Sequence, residues 1–196
     1  MEGEDLVIKD YTKNIKKGFY VDLGCYHPLH LSNTYLLYKN SWSGINVDIS
    51  EFSVDLFNFM RPNDLNINSA VSNTDDEITF YYQKKLSQLS TIKKDISKIR
   101  FQGLIKEKKI KSFKLNTILD NSNYKNRKID FLNIDLEGAD LEALKSLNFE
   151  IYKPKIICIE ITDKNILKSE TYKFLLDKKY KLVWSSKSNW GHIFIN

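Results

Sequence analysis

Cysteine, proline and glycine are scarce, at two, three and seven among 196 residues. So few prolines and glycines leave no room for a flexible or collagen-like linker, and nothing along the chain repeats. Two cysteines are too few for a disulfide-held scaffold. Cys25 and Cys158 both fall in or beside strand-like segments and read as reduced thiols used as small apolar side chains. Long hydrophobic runs are missing as well: the apolar stretch Lys155–Ile161 is far too short to cross a bilayer. The first residues, Met-Glu-Gly-Glu-Asp, are acidic and lack the basic start and apolar stretch of a secretion signal, so the expected location is the cytoplasm.

With 42% hydrophobic and 28% charged residues, the chain suits a globular domain with a sizeable core. The formal charge of +5 comes mostly from lysine. Its densest stretch, Lys106 to Lys114, has few aromatics interleaved and includes Glu107. Nucleic-acid surfaces pair basic clusters with stacking platforms, so this stretch reads as the solvated face of a helix, and nucleic acid is an unexpected partner.

Four short apolar runs end in polar residues: Gly18–Leu23 (GFYVDL), Gly44–Asp48 (GINVD), Ile129–Asp135 (IDFLNID) and Lys155–Ile161 (KIICIEI). Apolar on both alternations, they suit parallel strands covered on two faces. Helical spacing appears between them: Ser32–Asn40 behind a capping serine, Ser50–Met60 with Phe52, Leu56, Phe57 and Phe59 along one side, and Ala139–Leu147. Strand and helix in alternation predict an α/β fold with a mostly parallel sheet. Asn66–Val71 and Glu77–Tyr82 (EITFYY) read as an edge hairpin, and the polar segment Gln83–Ile110 as one or two helices forming a lid. Lys181–Ser186 and His192–Asn196 read as a closing antiparallel hairpin.

The chemistry sits where those strands end. Gly24, directly after the first strand, lets the backbone turn sharply and lets a ligand approach it. No further glycines follow at dinucleotide-fingerprint spacing and no G-K-[ST] occurs, which argues for a small anionic group rather than a pyrophosphate. Asp48, about 26 residues after Asp22, suits two ribose hydroxyls or the first turn of the next helix. Asp135, Glu137 and Glu160 gather at neighbouring strand ends. They are expected to bind hydroxyls of an acceptor or a divalent cation such as Mg²⁺ or Mn²⁺. His27 suits either a proton acceptor or a loop-shaping side chain. His192 suits a structural role in the closing hairpin.

The run GFYVDLGCYHPLHLSNTYLLYKNSWSGINVDIS, followed by RPNDLNINSAVS and IDFLNIDLEGADLEALKSL, resembles the FkbM family of methyltransferases over about Gly18 to Glu160. The resemblance implies a Rossmann-like class I methyltransferase fold, with a seven-stranded sheet and an antiparallel last strand, formed by one domain. It implies S-adenosylmethionine as methyl donor and a hydroxyl of a sugar, sugar nucleotide or small metabolite as acceptor, in surface polysaccharide or glycoconjugate synthesis. Cofactor contacts are expected from Asp22, Gly24, Cys25, Ser32, Asn33, Asp48, Ile49, Ala70, Val71 and Asp135. Catalytic roles are expected of His27, Asp135 and Glu137. One departure is Asp48-Ile49, where the family often has Glu-Pro, which shortens the reach to the ribose. Two other functions fit less of the chain: an RNA methyltransferase guided by the basic 83–114 segment, and a cofactor-binding subunit without catalysis. Homo-oligomerisation is compatible with either.

Overall fold

The computed structural model describes residues 2–196. Its central sheet has seven strands: β1 Phe19–Leu23, β2 Ser43–Asp48, β3 Leu65–Asn68, β7 Phe131–Ile134, β8 Ile156–Glu160, β9 Lys181–Ser185 and β10 Gly191–Ile195. Their order is β3-β2-β1-β7-β8-β10-β9. The first five run parallel, and β10 lies antiparallel between β8 and β9. This is the α/β sheet expected from the sequence.

Every residue of β1 and β7 is buried. Period-two alternation splits them between two cores. Phe19, Val21, Leu23, Leu132 and Ile134 belong to one cluster, and Tyr20, Phe131, Cys158 and Ile193 to the other. The second face also carries a transverse polar row. Asn66, Asn46, Asp22, Asn133 and Cys158 stand opposite one another across five strands. They interlock: Asn46 Nδ2 donates to Asn66 Oδ1 at 2.8 Å, and Asn133 Nδ2 to Asp22 Oδ1 at 2.9 Å.

Among the described residues, the α-helices are α1 Glu4–Thr12, α2 Tyr35–Lys39, α3 Glu51–Met60, α4 Lys94–Arg100, α5 Leu115–Asp120, α6 Asp140–Lys145, α7 Phe149–Tyr152 and α8 Glu170–Asp177. Ser50 caps α3, its Oγ accepting from the Ser53 N–H at 3.2 Å. The apolar side of α3 differs from expectation: Val54 and Phe57 are buried, whereas Phe59 is 86% exposed. Helix α2 is shorter than its expected span. Ser32 does not cap it, because its hydroxyl receives Arg61 Nη2 at 3.0 Å, and Thr34 donates its own hydroxyl to Asp22 Oδ2 at 2.7 Å.

The remaining strands, β4 Ala70–Val71, β5 Asp76–Tyr82 and β6 Lys106–Phe113, form a second sheet of order β4-β6-β5. This corrects two expectations. The stretch before β5 does not form a hairpin with it, since β6 lies between β4 and β5. The lysine-rich residues after 105 are strand, not helix. Pairing with the β-branched and aromatic residues of β5 over seven positions outweighs their helical preference.

Candidate active site

The carboxyl ends of β1, β2 and β7 meet at a tight turn. Gly24 adopts φ +76°, and a Cβ there would sit 1.9 Å from the carbonyl oxygen of Asp135. Any side chain would push β1 and β7 apart, so glycine is required. The next turn, with Tyr26 at φ +53°, directs the Tyr26 N–H to Asp48 Oδ2 at 2.8 Å. The Ser50 N–H donates to Asp48 Oδ1 at 2.7 Å. Burial pushes the Asp48 carboxyl up to about 6, and these two N–H groups hold it from rising further. Each oxygen keeps a lone pair for a ligand.

Asp135 is the opposite case. Among the described residues, no side chain or backbone group hydrogen-bonds its carboxylate. Its side chain is exposed to the cavities it lines, and the protein atoms packed around those cavities bury the carboxyl from the other sides. That burial, with added repulsion from Glu160, Asp140 and Asp22, pushes it up to about 8, against a partial pull from Arg100. The following turn is strained, with Glu137 at φ +53° and Gly138 at φ +97°. Asp140 fixes it by accepting the N–H groups of Leu136 at 2.8 Å and Gly138 at 2.9 Å.

Between Asp48 and Asp135 lies a cleft that opens to solvent, with about 490 Å³ of empty space when its open mouth is included. Gly24, Asp48, Ile49, Ala70, Val71, Asp135 and Glu137, all expected at the site, line it. A smaller lobe takes in Asp22, Cys25, Ser32 and Asn33, again with Gly24 and Asp135. Asp22 has little to offer a ligand, because it is only 1% exposed and is held from within by Thr34 and Asn133. Both cysteines are buried and unpaired, and burial raises their thiols well above the ordinary range.

Several lining groups escaped the sequence reading. Ser69 Oγ is buried without a partner among the described residues. Ser87, Gln88, Ser90, Thr91 and Ile92 roof the cleft. The roof is pinned by Thr91, whose Oγ1 donates to the Glu137 carbonyl at 2.8 Å and whose backbone bridges Tyr81. Arg61 is 1% exposed and holds the loop over the cleft, reaching Thr34 Oγ1 at 2.9 Å, Ser32 and the Pro28 carbonyl. It stands in the quoted RPNDLNINSAVS run, but its long-range partners carry no local signal.

Two expectations fail on geometry. His27 is outside both the cleft and its lobe. Its Nδ1 accepts the N–H groups of Leu29 and His30, both at 3.1 Å, which leaves the proton on Nε2. It shapes the loop and has no free basic nitrogen for an acceptor. The divalent-cation set of Asp135, Glu137 and Glu160 also does not fit. Arg100 forms an ion pair with Glu137, and its Nη2 lies 3.9 Å from Glu160 Oε2. A guanidinium thus supplies the positive charge expected of Mg²⁺ or Mn²⁺. Among the described residues, no three His, Cys, Asp or Glu side chains are grouped to hold a metal ion. His192 is structural: it is buried, with its ring nitrogens on Ser185 Oγ at 2.8 Å and the Asn189 carbonyl at 3.2 Å.

Residues 22–182 match a family described as the Methyltransferase FkbM domain. Among solved structures, the chain is similar to the crystal structure of Methyltransferase FkbM from Methylobacillus flagellatus KT. The TM-score is 0.55 at 11% identity, which speaks for a shared fold, and the alignment covers 92% of this chain. The chain spans 44% of that protein's length. No curated protein matches it. None of the described helices is long and apolar enough to cross a membrane.

Proposed function

Because the chain belongs to the FkbM methyltransferase family, we propose that it methylates a hydroxyl of a sugar or small metabolite, using S-adenosylmethionine. The reading includes work in the cytoplasm, on surface polysaccharide or glycoconjugate precursors. The observation that carries it is the contrast between two strand-end acids on opposite sides of one cleft.

The residues present fit the cofactor. Asp48 presents two oriented oxygens with spare lone pairs for ribose hydroxyls, Gly24 presents bare backbone, and Ala70 and Val71 form an apolar wall beside the unpartnered Ser69 hydroxyl. Bound there, S-adenosylmethionine supplies an electrophilic methyl group on positively charged sulfur. Asp135, and not His27, is the proton acceptor. Its affinity for a proton, close to the working pH, suits removing the hydroxyl proton of an acceptor. A neighbouring positive charge favours its ionised form. Arg100 neutralises Glu137 and leaves Asp135 as the open carboxyl. Of the expected lid, residues 83–105, which precede β6 and whose first part roofs the cleft, act as a lid that orders over bound ligand.

Calorimetry tests the core of this reading. S-adenosylhomocysteine is expected to bind with roughly micromolar affinity, in keeping with a cleft that offers a few oriented polar groups. Absence of binding to the folded wild-type chain would overturn it.

A further inference from the structure

A second cavity opens beyond Asp135, on the side away from Asp48. It is a groove with about 900 Å³ of open space, lined by Leu31, Asn33, Gln88, Asp135, Glu160 and Trp190, with Glu2 and Glu4 at its margin. Asp135 and Gln88 line this groove and the first cleft alike. A molecule in the groove therefore meets the cleft at the carboxyl proposed to take the proton.

The walls of the groove have a definite chemistry. Trp190 is 56% exposed and Leu31 is 50% exposed, although both are large and apolar. The Trp190 backbone is held on both sides: its N–H donates to Ser186 Oγ at 3.1 Å, and its carbonyl accepts the Ile161 N–H at 2.8 Å. The indole is thus presented on a fixed strand end. On the floor, Asn33 Nδ2 donates to Asn133 Oδ1 at 3.0 Å, while Asn33 Oδ1 is buried without a partner among the described residues. That oxygen needs a donor, and a ligand hydroxyl or amine provides one.

Charge narrows the class further. Glu2, Glu4, Asp135 and Glu160 line the groove, and no lysine or arginine does, in a chain whose net charge is +5. The acids at its margin are fixed there: Glu2 accepts the Ser188 N–H at 2.8 Å, and Glu4 Oε1 lies where a Gly191 side chain would begin. A phosphate entering this groove meets like charge, since Arg100, the cation beside Glu160, is already paired with Glu137. The electron-rich indole face favours C–H groups and cations over anions.

Building on the proposed methyltransferase activity, we propose that this groove is the acceptor site. Its ligand is a polyhydroxylated ring without phosphate, stacked on Trp190, and an amino substituent tightens its binding. Sugar phosphates and nucleotide-linked sugars are excluded from it.

Saturation-transfer NMR on the full chain, loaded with S-adenosylhomocysteine, tests this with glucosamine, glucose and glucose 6-phosphate as probes. Glucosamine and glucose should receive saturation, glucosamine more strongly, and glucose 6-phosphate should receive little. Trp190→Ala should reduce the signals by about fivefold or more, with the affinity for S-adenosylhomocysteine kept within about twofold as the check on folding. Glu160→Gln should raise the glucose 6-phosphate signal. Saturation of glucose 6-phosphate equal to that of glucose overturns the proposal, as does an unchanged Trp190→Ala signal or silence from all three probes. Failure of S-adenosylhomocysteine itself to bind strikes the underlying methyltransferase reading instead, and the two failures are distinguishable in one sample.

Discussion

Asp48 and Asp135 occupy the same kind of position, the carboxyl end of a parallel strand, yet their surroundings set them apart. Asp48 ends β2 beside the loop that follows β1, so the Tyr26 N–H of that loop and the Ser50 N–H of its own turn orient its oxygens and limit its rise to about 6. Asp135 follows a strand whose next turn is fixed by Asp140 instead, which leaves its own carboxyl bare at about 8. An oriented, ionised acid holds a ligand; a bare acid near its midpoint exchanges a proton. The difference lies in which acid the backbone N–H groups of the neighbouring turns reach.

The most severe way to break this comparison is Asp135→Asn. Turnover is expected to fall by about 10²–10⁴-fold, the usual worth of a general base, while S-adenosylhomocysteine binds as before. Equal loss of binding and rate would make Asp135 a binding residue like Asp48. The reverse signature is expected of Asp48→Ala, with cofactor affinity about 10–100-fold weaker for the lost charge-assisted hydrogen bonds, read by calorimetry.

A smaller effect sharpens the contrast through stability. The folded pKa of Asp135, about 8, lies above the roughly 3.9 of an unfolded aspartate. Its contribution to stability is therefore complete below about pH 4 and is lost as pH rises to about 8. Melting curves of Asp135→Asn should match wild type near pH 4, rise above it through that window, and keep a constant advantage beyond it. A constant offset at every pH would show that folding leaves the pKa of Asp135 unshifted. The smallest effect concerns the roof. Thr91→Val removes one hydrogen bond to the Glu137 carbonyl, worth about 1 kcal/mol. Hydrogen exchange at residues 83–92 should quicken accordingly, while β7 stays protected.

The parts of this architecture legible in the sequence are those with local causes. β1, β2, β7 and β8 announce themselves as apolar runs ending in a polar residue, and their shared parallel direction then brings Gly24, Asp48 and Asp135 to one edge. Ala70 and Val71 follow from the family resemblance and do line the cleft. What was hidden depends on partners distant in sequence. Lys106–Phe113 looks like a solvated helix until β5 is set beside it. Glu137 and Glu160 look like a cation site until Arg100, from an unremarkable lysine-rich stretch, is folded between them. His27 was ambiguous because its role turns on a single loop geometry, in which two backbone N–H groups claim the nitrogen a base would need.

Arg61 gathers contacts from stretches far apart in the chain: Tyr20 from β1, Pro28 and Ser32 from the loop, and Thr34, which in turn serves Asp22. Each of these residues is chosen for the others, so their histories of substitution cannot be independent. Replacing the guanidinium alone strands several oxygens out of reach of water, and replacing any one oxygen strands part of the guanidinium. Variation at these positions is therefore expected to arrive in concert or to be refused. Double-mutant cycles across the set should show strong coupling, in contrast to the exposed lysines of β6.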